Sequence, residues 1–187
     1  MTAETLLEKL KRFYSATFDL EESHSVAVKN SGTDVNIQDK CFALYGHFNV
    51  DSSRYVLSKK AKLWEANCQE HLFVDVIEND QVLTVNRIEH LDRLLKEEIE
   101  PAYIRGGEKY PPANHMYSYI TVVIITDEPL DTKTLKYVQS YRFEKTYRFN
   151  LRGYMETRLV AVSTADKTVT TNRAGKPLVK AYHQLIV

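Results

Sequence analysis

The chain predicts an α+β single domain, a mostly antiparallel mixed sheet with helices packed on it. Three features predict it. Apolar residues alternate with period two in several runs, other runs carry an apolar stripe at helical spacing, and polar turn residues separate them. The elements follow the order α-β-β-β-α-β-α-β-β-β-α. No repeat, linker or low-complexity segment divides residues 1–187, so one domain is expected.

The first helix is expected from Ala3 to Ala16, with Leu6, Leu10, Phe13 and Tyr14 on one stripe and Thr2 as its N-cap. "FDLEESHSVAV" holds a short strand, and "KNSGTDVNIQDK" is a polar loop. Three strands are expected next, at 41–50, 54–64 and 68–77, each with apolar residues at every second place. "DSSR" and "EAN" form the turns between them. A two-residue turn at Ser52-Ser53 would set Phe48 opposite Leu57 and Leu44 opposite Ala61, matching apolar faces. A helix from Thr84 to Glu100 buries Ile88, Leu91, Leu95 and Ile99, and Pro101 is expected to end it. Residues 101–116 then read as a long loop, a length often tied to function. "YSYITVVIITD" (117–127) is a central strand covered on both faces. A helix from Asp131 to Ser140, strands at 142–151, 154–163 and 167–172, and a helix from Lys176 with Pro177 in its first turn complete the chain.

Lys plus Arg equals Asp plus Glu at 25 each, so the net charge is zero. That disfavours a general polyanion binder, which needs a basic excess, and nucleic acid is not the favoured partner. The N-terminal segment lacks a signal peptide's apolar region, and no run approaches membrane-spanning length. A soluble cytoplasmic protein without a membrane role is expected. Cys41 and Cys68 show no zinc or CxxC spacing and read as reduced, mostly buried strand residues. No metal site and no cofactor is indicated by any motif; "NRAGKP" lacks the rest of a phosphate loop.

Several constellations remain. In the register just given, Lys59 lies on the apolar face opposite Gly46, where a missing side chain could admit a ligand. Its bland counterpart is a lysine snorkelling at a sheet margin. On the other face His47, Ser58 and Asp75 fall in one cross-strand row, the residue types of a nucleophile, base and orienter, although Ser58 has no nucleophile elbow. The element order also resembles restriction-endonuclease-like nucleases, whose strands carry acids and a lysine around Mg²⁺. That resemblance would implicate Asp51, Glu70 and Lys62, but neither Glu70 nor Asp75 is followed by x-Lys, so the motif departs from the family's. The 101–116 loop offers Tyr103, Arg105, Lys109, Tyr110 and His115 to close over an anionic partner.

"YRFEKTYRFNLRGYMETRLV" (141–160) sorts by parity. Tyr141, Phe143, Tyr147, Phe149, Leu151, Met155 and Leu159 take one face; Arg142, Arg148, Arg152 and Arg158 take the other, with Glu144 and Glu156 among them. A single-strand grip needs rings and cations on one surface, so the stretch reads as a two-faced strand pair with a mixed-charge outer lattice. Lys145 breaks the apolar side. "KKAKLW", "LRGYMETRL" and "TNRAGK" resemble segments of small uncharacterised bacterial proteins that carry a domain of unknown function, which implies a bacterial cytoplasmic origin and no chemistry. The function expected is that of a binding domain for a protein or a small anionic ligand, self-association included; the alternative is a nucleic-acid-binding or degenerate nuclease-like protein.

Overall fold

A computed structural model describes residues 1–28, 39–55, 62–77 and 81–187, with the backbone alone at 51–55 and 62–66. The order is α1 (Ala3–Tyr14), β1 (Asp19–Val26), β2 (Lys40–Tyr55), β3 (Lys62–Val76), α2 (Val85–Leu94), a π-helix (Leu95–Ile104), β4 (His115–Thr126), α3 (Thr132–Ser140), β5 (Glu144–Thr146), β6 (Tyr154–Ser163), β7 (Thr168–Thr171), a single 3₁₀ turn (Lys176–Leu178) and α4 (Val179–Ile186). The seven strands form one mixed sheet in the order β1-β2-β3-β4-β6-β5, with β7 also paired to β6. The β3–β4 and β4–β6 pairs are parallel and the others antiparallel. This is an α+β domain.

Helices cover both faces of the sheet. On one face Ile120, Val122 and Ile124 of β4 pack with Ile88, Leu95, Ile99 and Val138 of α2, the π-helix and α3. On the other, Val123 and Ile125 pack with Leu6 and Leu10 of α1 and with Tyr182 and Ile186 of α4. The continuous β-branched run of β4 is thus buried on both faces, as its composition predicts. Thr2 caps α1 by accepting from Thr5 N at 3.3 Å. The terminal helices are joined by the buried Tyr14 and Tyr182 hydroxyls, 2.8 Å apart, and burial pushes the Tyr14 phenol up to about 12.

The predicted order of elements holds, but partly through different segments. Strands expected at 41–50, 54–64 and 68–77 are instead two long strands, and the short segment at 19–26 supplies the third. Asp51, Ser52, Ser53 and Arg54 pair with Asn67, Ala66, Glu65 and Trp64. Both expected turns, "DSSR" and "EAN", are therefore strand. Polar turn-formers stay extended when a partner strand takes up their backbone groups, because strand preference depends on context. Residues 56–61, which include part of the strand expected at 54–64, lie outside the described residues. Leu44 consequently faces Val74, and Gly46 faces Leu72 and Leu20 rather than a lysine. A Cβ on Gly46 would lie 2.9 Å from Leu20 Cδ2, so its missing side chain makes room for Leu20 and Phe18.

Pro101 does not end the second helix. The chain widens into ten residues of π-helix that run through it. The wider coil separates the proline ring from the carbonyl that it would strike in an α-helix, and burial shifts to a spacing of four to five residues at Leu95, Ile99, Glu100 and Ile104. Gly106 and Gly107, at φ 60° and 80°, end it instead, with their N–H groups returning to the carbonyls of Ala102 and Pro101.

The strand pair expected at 142–163 is also cut short. After β5, Arg148, Phe149 and Asn150 all have left-handed backbones (φ 48°, 54° and 66°), and Gly153 follows at φ 72°. A Cβ on Gly153 would stand 2.1 Å from the Met116 carbonyl oxygen, so only glycine lets β6 start there. The turn lifts Phe149 (97% exposed) and Leu151 (73% exposed) off the sheet, whereas Tyr141, Tyr147, Met155 and Leu159 are buried as expected. An L-residue in this conformation costs about 1–2 kcal/mol. Phe149→Gly should therefore raise stability by about 0.5–1 kcal/mol after the extra chain entropy of glycine is subtracted. A urea midpoint that falls would show that the Phe149 ring makes a stabilising contact.

Candidate functional site

The outer edge of β6 is shared. β5 pairs with residues 154–156 and β7 with 160–163. Between them Thr157 N donates to the Phe143 carbonyl and Asn172 N to that of Leu159. A cleft of about 680 Å³ opens at this gap, walled by Tyr119, Arg142, Glu144, Glu156, Arg158 and Arg173 among others. Asn172 ties its sides together. Its Oδ1 accepts from Leu159 N and Gly175 N, both at 3.1 Å, and its Nδ2 donates to the carbonyls of Thr157 (2.8 Å) and Tyr141 (3.3 Å).

Arg158 is the best-held cation in this cleft. Its Nη1 lies 3.0 and 3.1 Å from the two Glu70 oxygens, and its guanidinium sits 3.5 Å over the centre of the Tyr119 ring. Glu70 is steadied in turn by the Thr121 hydroxyl. The buried Nε of Arg158 has no hydrogen-bond partner among the described residues. Arg142 is paired with Glu144. The Arg142 hydrogen bond, aided by the Arg173 charge, holds the Glu144 carboxyl below its usual range. Arg173 is exposed and makes no ion pair among the described residues. The walls thus combine one preset guanidinium, one paired one and one uncommitted one.

The π-helix contributes to two further polar clusters. Glu100 is fully buried (0% exposed) yet charged. It accepts from Arg105 Nε at 2.9 Å, the Tyr147 hydroxyl at 2.7 Å and Lys145 Nζ at 3.0 Å. Burial alone would raise its carboxyl, but these three partners outweigh burial and hold it below the ordinary value. Tyr103 joins the second cluster, beside His24, Tyr45, His71 and Phe73, with His47 stacked on His71. Nearby, His115 bridges the Arg152 carbonyl (Nδ1, 2.7 Å) and the Ser118 hydroxyl (Nε2, 2.7 Å), and burial pushes its imidazole pKa down. Both members of this Ser–His pair are buried, and no acid orients the histidine, so it reads as a structural link.

The sequence candidates disperse. His47 stands opposite His71, while Asp75 is bound to Lys40 at 2.6 Å with Arg87 3.6 Å away; Ser58 lies outside the described residues. The expected row of His47, Ser58 and Asp75 depended on the overturned turn. Lys59 also lies outside the described residues. Asp51 pairs with Asn67, Glu70 with Phe48 and Lys62 with Tyr55. Eight residues of extended strand put Lys62 about 26 Å from Glu70, so the nuclease set does not converge. From the supposed loop, Tyr103 belongs to the π-helix, Arg105 is committed to Glu100 and His115 is buried. Of the five candidates only Lys109 and Tyr110 are exposed, with the Lys109 ammonium 5.4 Å from the Tyr110 ring centre. Of the four arginines, Arg142 and Arg158 meet in the cleft. Arg148 sits on the left-handed turn, and Arg152 donates to the Pro111 carbonyl. Cys41 proves exposed and Cys68 half-buried, and both are free thiols. Sequence does not single out Arg173 and Asn172 as site residues; they open the "NRAGKP" segment, which reads only as an incomplete phosphate loop.

No three His, Cys, Asp or Glu groups converge as a metal cage among the described residues. None of the described helices is long and apolar enough to cross a membrane. Fold and cleft together define an α+β domain with an arginine-lined groove at a split sheet edge. A family model described as a domain of unknown function, DUF8052, matches residues 2–184, and the chain belongs to that family. No curated protein and no solved structure matches it.

Proposed function

We propose that this is a binding domain and that the β6-edge cleft takes a small anionic ligand. The observation that carries the reading is Arg158, which lines the cleft and is fixed by Glu70 and Tyr119 before any ligand arrives. A preorganised guanidinium loses little entropy on binding and suits planar anions such as carboxylate or phosphate. Arg173 supplies an uncommitted second cation. Arginines elsewhere are spread over the turn and the loop contacts, and those in the cleft are interleaved with Glu144 and Glu156, which weakens the case for a long polyanion such as nucleic acid. Free Cys41 and Cys68 suit a reducing bacterial cytoplasm.

Titration with inorganic phosphate and with a short dicarboxylate, followed by the arginine side-chain N–H resonances, tests this. Saturable shifts at Arg158 and Arg173 are expected, with affinity lowered about tenfold in Arg173→Ala. Shifts confined to other regions, or no saturation with either anion, would sink the reading. A protein-binding role rests on a separate feature, the exposed Phe149 and Leu151 on their left-handed turn. It expects concentration-dependent self-association or partner capture that disappears in a Phe149→Ser, Leu151→Ser double variant.

A further inference from the structure

We infer that the outer edge of β7 receives an extended acidic peptide, which joins the sheet as a further strand between α3 and α4. This site goes beyond the anion cleft and does not depend on it, although Arg173 stands between the two. β7 pairs antiparallel with β6, with Thr170 opposite Ala161 and Thr171 opposite Val160. Just past the last pair, Asn172 N donates to the Leu159 carbonyl. Antiparallel ladders alternate bonded with non-bonded pairs, so Thr170 bonds to β6, while the N–H and C=O of Val169 and Thr171 point away from it. No described backbone group takes up those outward donors and acceptors.

The surroundings fit a peptide strand better than a bare solvated edge. A groove of about 530 Å³ runs along it, walled by Val169 and Thr171 of β7, Gln139 of α3, and Arg173, Lys176 and Val179. α3 and α4 pack on opposite faces of the sheet, so they flank this edge without covering it. Val169 packs against the core shared with α4, which gives an incoming side chain an apolar floor. The charge is one-sided. β7, α3 and residues 173–186 carry Lys133, Lys136, Arg173, Lys176 and Lys180 and no acid, in a chain whose net charge is zero. The nearby acids are committed: Asp131 caps α3, and Asp166 accepts from the Thr168 hydroxyl at 2.8 Å. Basic residues beside a free edge repel a like strand and attract an acidic one. Strand addition draws affinity from main-chain hydrogen bonds and selectivity from alternate side chains. The outward groups of Val169 and Thr171 supply the first, and Lys176 and Arg173 supply the second.

The full chain, titrated with an end-blocked peptide of alternating glutamate and valine and followed by amide resonances and hydrogen exchange, provides the test. At saturation, exchange of the Val169 and Thr171 N–H groups should slow at least about tenfold, while that of Thr170, already bonded to β6, should change little. A peptide with lysine in place of glutamate should bind at least about tenfold more weakly, and Lys176→Glu should weaken the acidic peptide as much. Val169→Pro removes one outward N–H at a strand edge, where proline is tolerated, and should abolish binding. Thermal unfolding shows whether that variant is folded; if it is not, Lys176→Glu, at an exposed position, decides alone. Peptide shifts confined to Arg158 and its cleft would overturn the strand site and leave the anion reading standing. Unslowed exchange at Val169 and Thr171, or equal affinity for the acidic and the lysine peptide, would overturn it as well.

Discussion

Glu100→Ala is expected to destabilise the fold by about 3 kcal/mol. Removing one partner of a buried ion pair costs about 3–5 kcal/mol, because the opposite charges are left behind without compensation. Here the low end applies. Arg105 and Lys145 keep 18% and 43% of their side-chain surface in water and can turn toward it, while the Tyr147 hydroxyl cannot. The acid dependence follows from the lowered carboxyl pKa. The stabilisation is complete above the ordinary glutamate range and is lost as pH falls through the lowered folded-state value. Glu100→Gln keeps the volume but removes this titration, so its stability should fall less steeply with acid than that of the parent. Urea unfolding at neutral and acid pH measures both effects. Equal acid slopes in Glu100→Gln and the parent would mean that the carboxylate is not the group responsible.

The second large effect is expected from Asn172→Ala. The change deletes four hydrogen bonds at a residue only 2% exposed. It leaves two N–H groups and two carbonyls in need of partners. At about 1 kcal/mol for each lost bond, the cost is about 3–4 kcal/mol. The consequence extends to function, since those bonds join the Tyr141 and Thr157 side of the cleft to the Leu159 and Gly175 side. Anion affinity should fall even where Asn172→Ala is fully folded. A loss under about 1 kcal/mol in the urea midpoint would show that water substitutes for the amide and that Asn172 does not brace the cleft.

Much of the fold was legible locally. Thr2 marked the start of α1, the β-branched run of 117–127 marked the doubly covered β4, and Lys145 stood out as a cation on an apolar face. Its oddity has a cause that sequence could not reveal, a buried Glu100 supplied by a helix 45 residues upstream. The errors share one physical origin. Ser52-Ser53 and Pro101 are local breakers whose preferences amount to a few kcal/mol at most, and tertiary pairing overrode both. The Gly106-Gly107 pair was the better stop signal, since left-handed backbone at a helix end strongly favours glycine. The turn at 148–150 carried no comparable warning, because Arg148 and Phe149 do not ordinarily adopt that conformation.

The sites divide along the same line. Arg142 and Arg158 could be picked out because they lie on alternating positions of one recognisable stretch. Their meeting with Arg173, Tyr119 and Asn172 required β5 and β7 to share one edge of β6 and leave a gap between them. The groove along β7 likewise exists only because α3 and α4 pack on opposite faces of the sheet and flank that edge. By itself, then, the amino-acid sequence determined the class of element at most positions and the apolar stripes of the helices, since those follow from periodicity and short-range sterics. Strand register, the π-helix through Pro101 and the convergence of cations were decided by the tertiary structure. They depend on which distant backbone groups satisfy one another, and no local pattern encodes that.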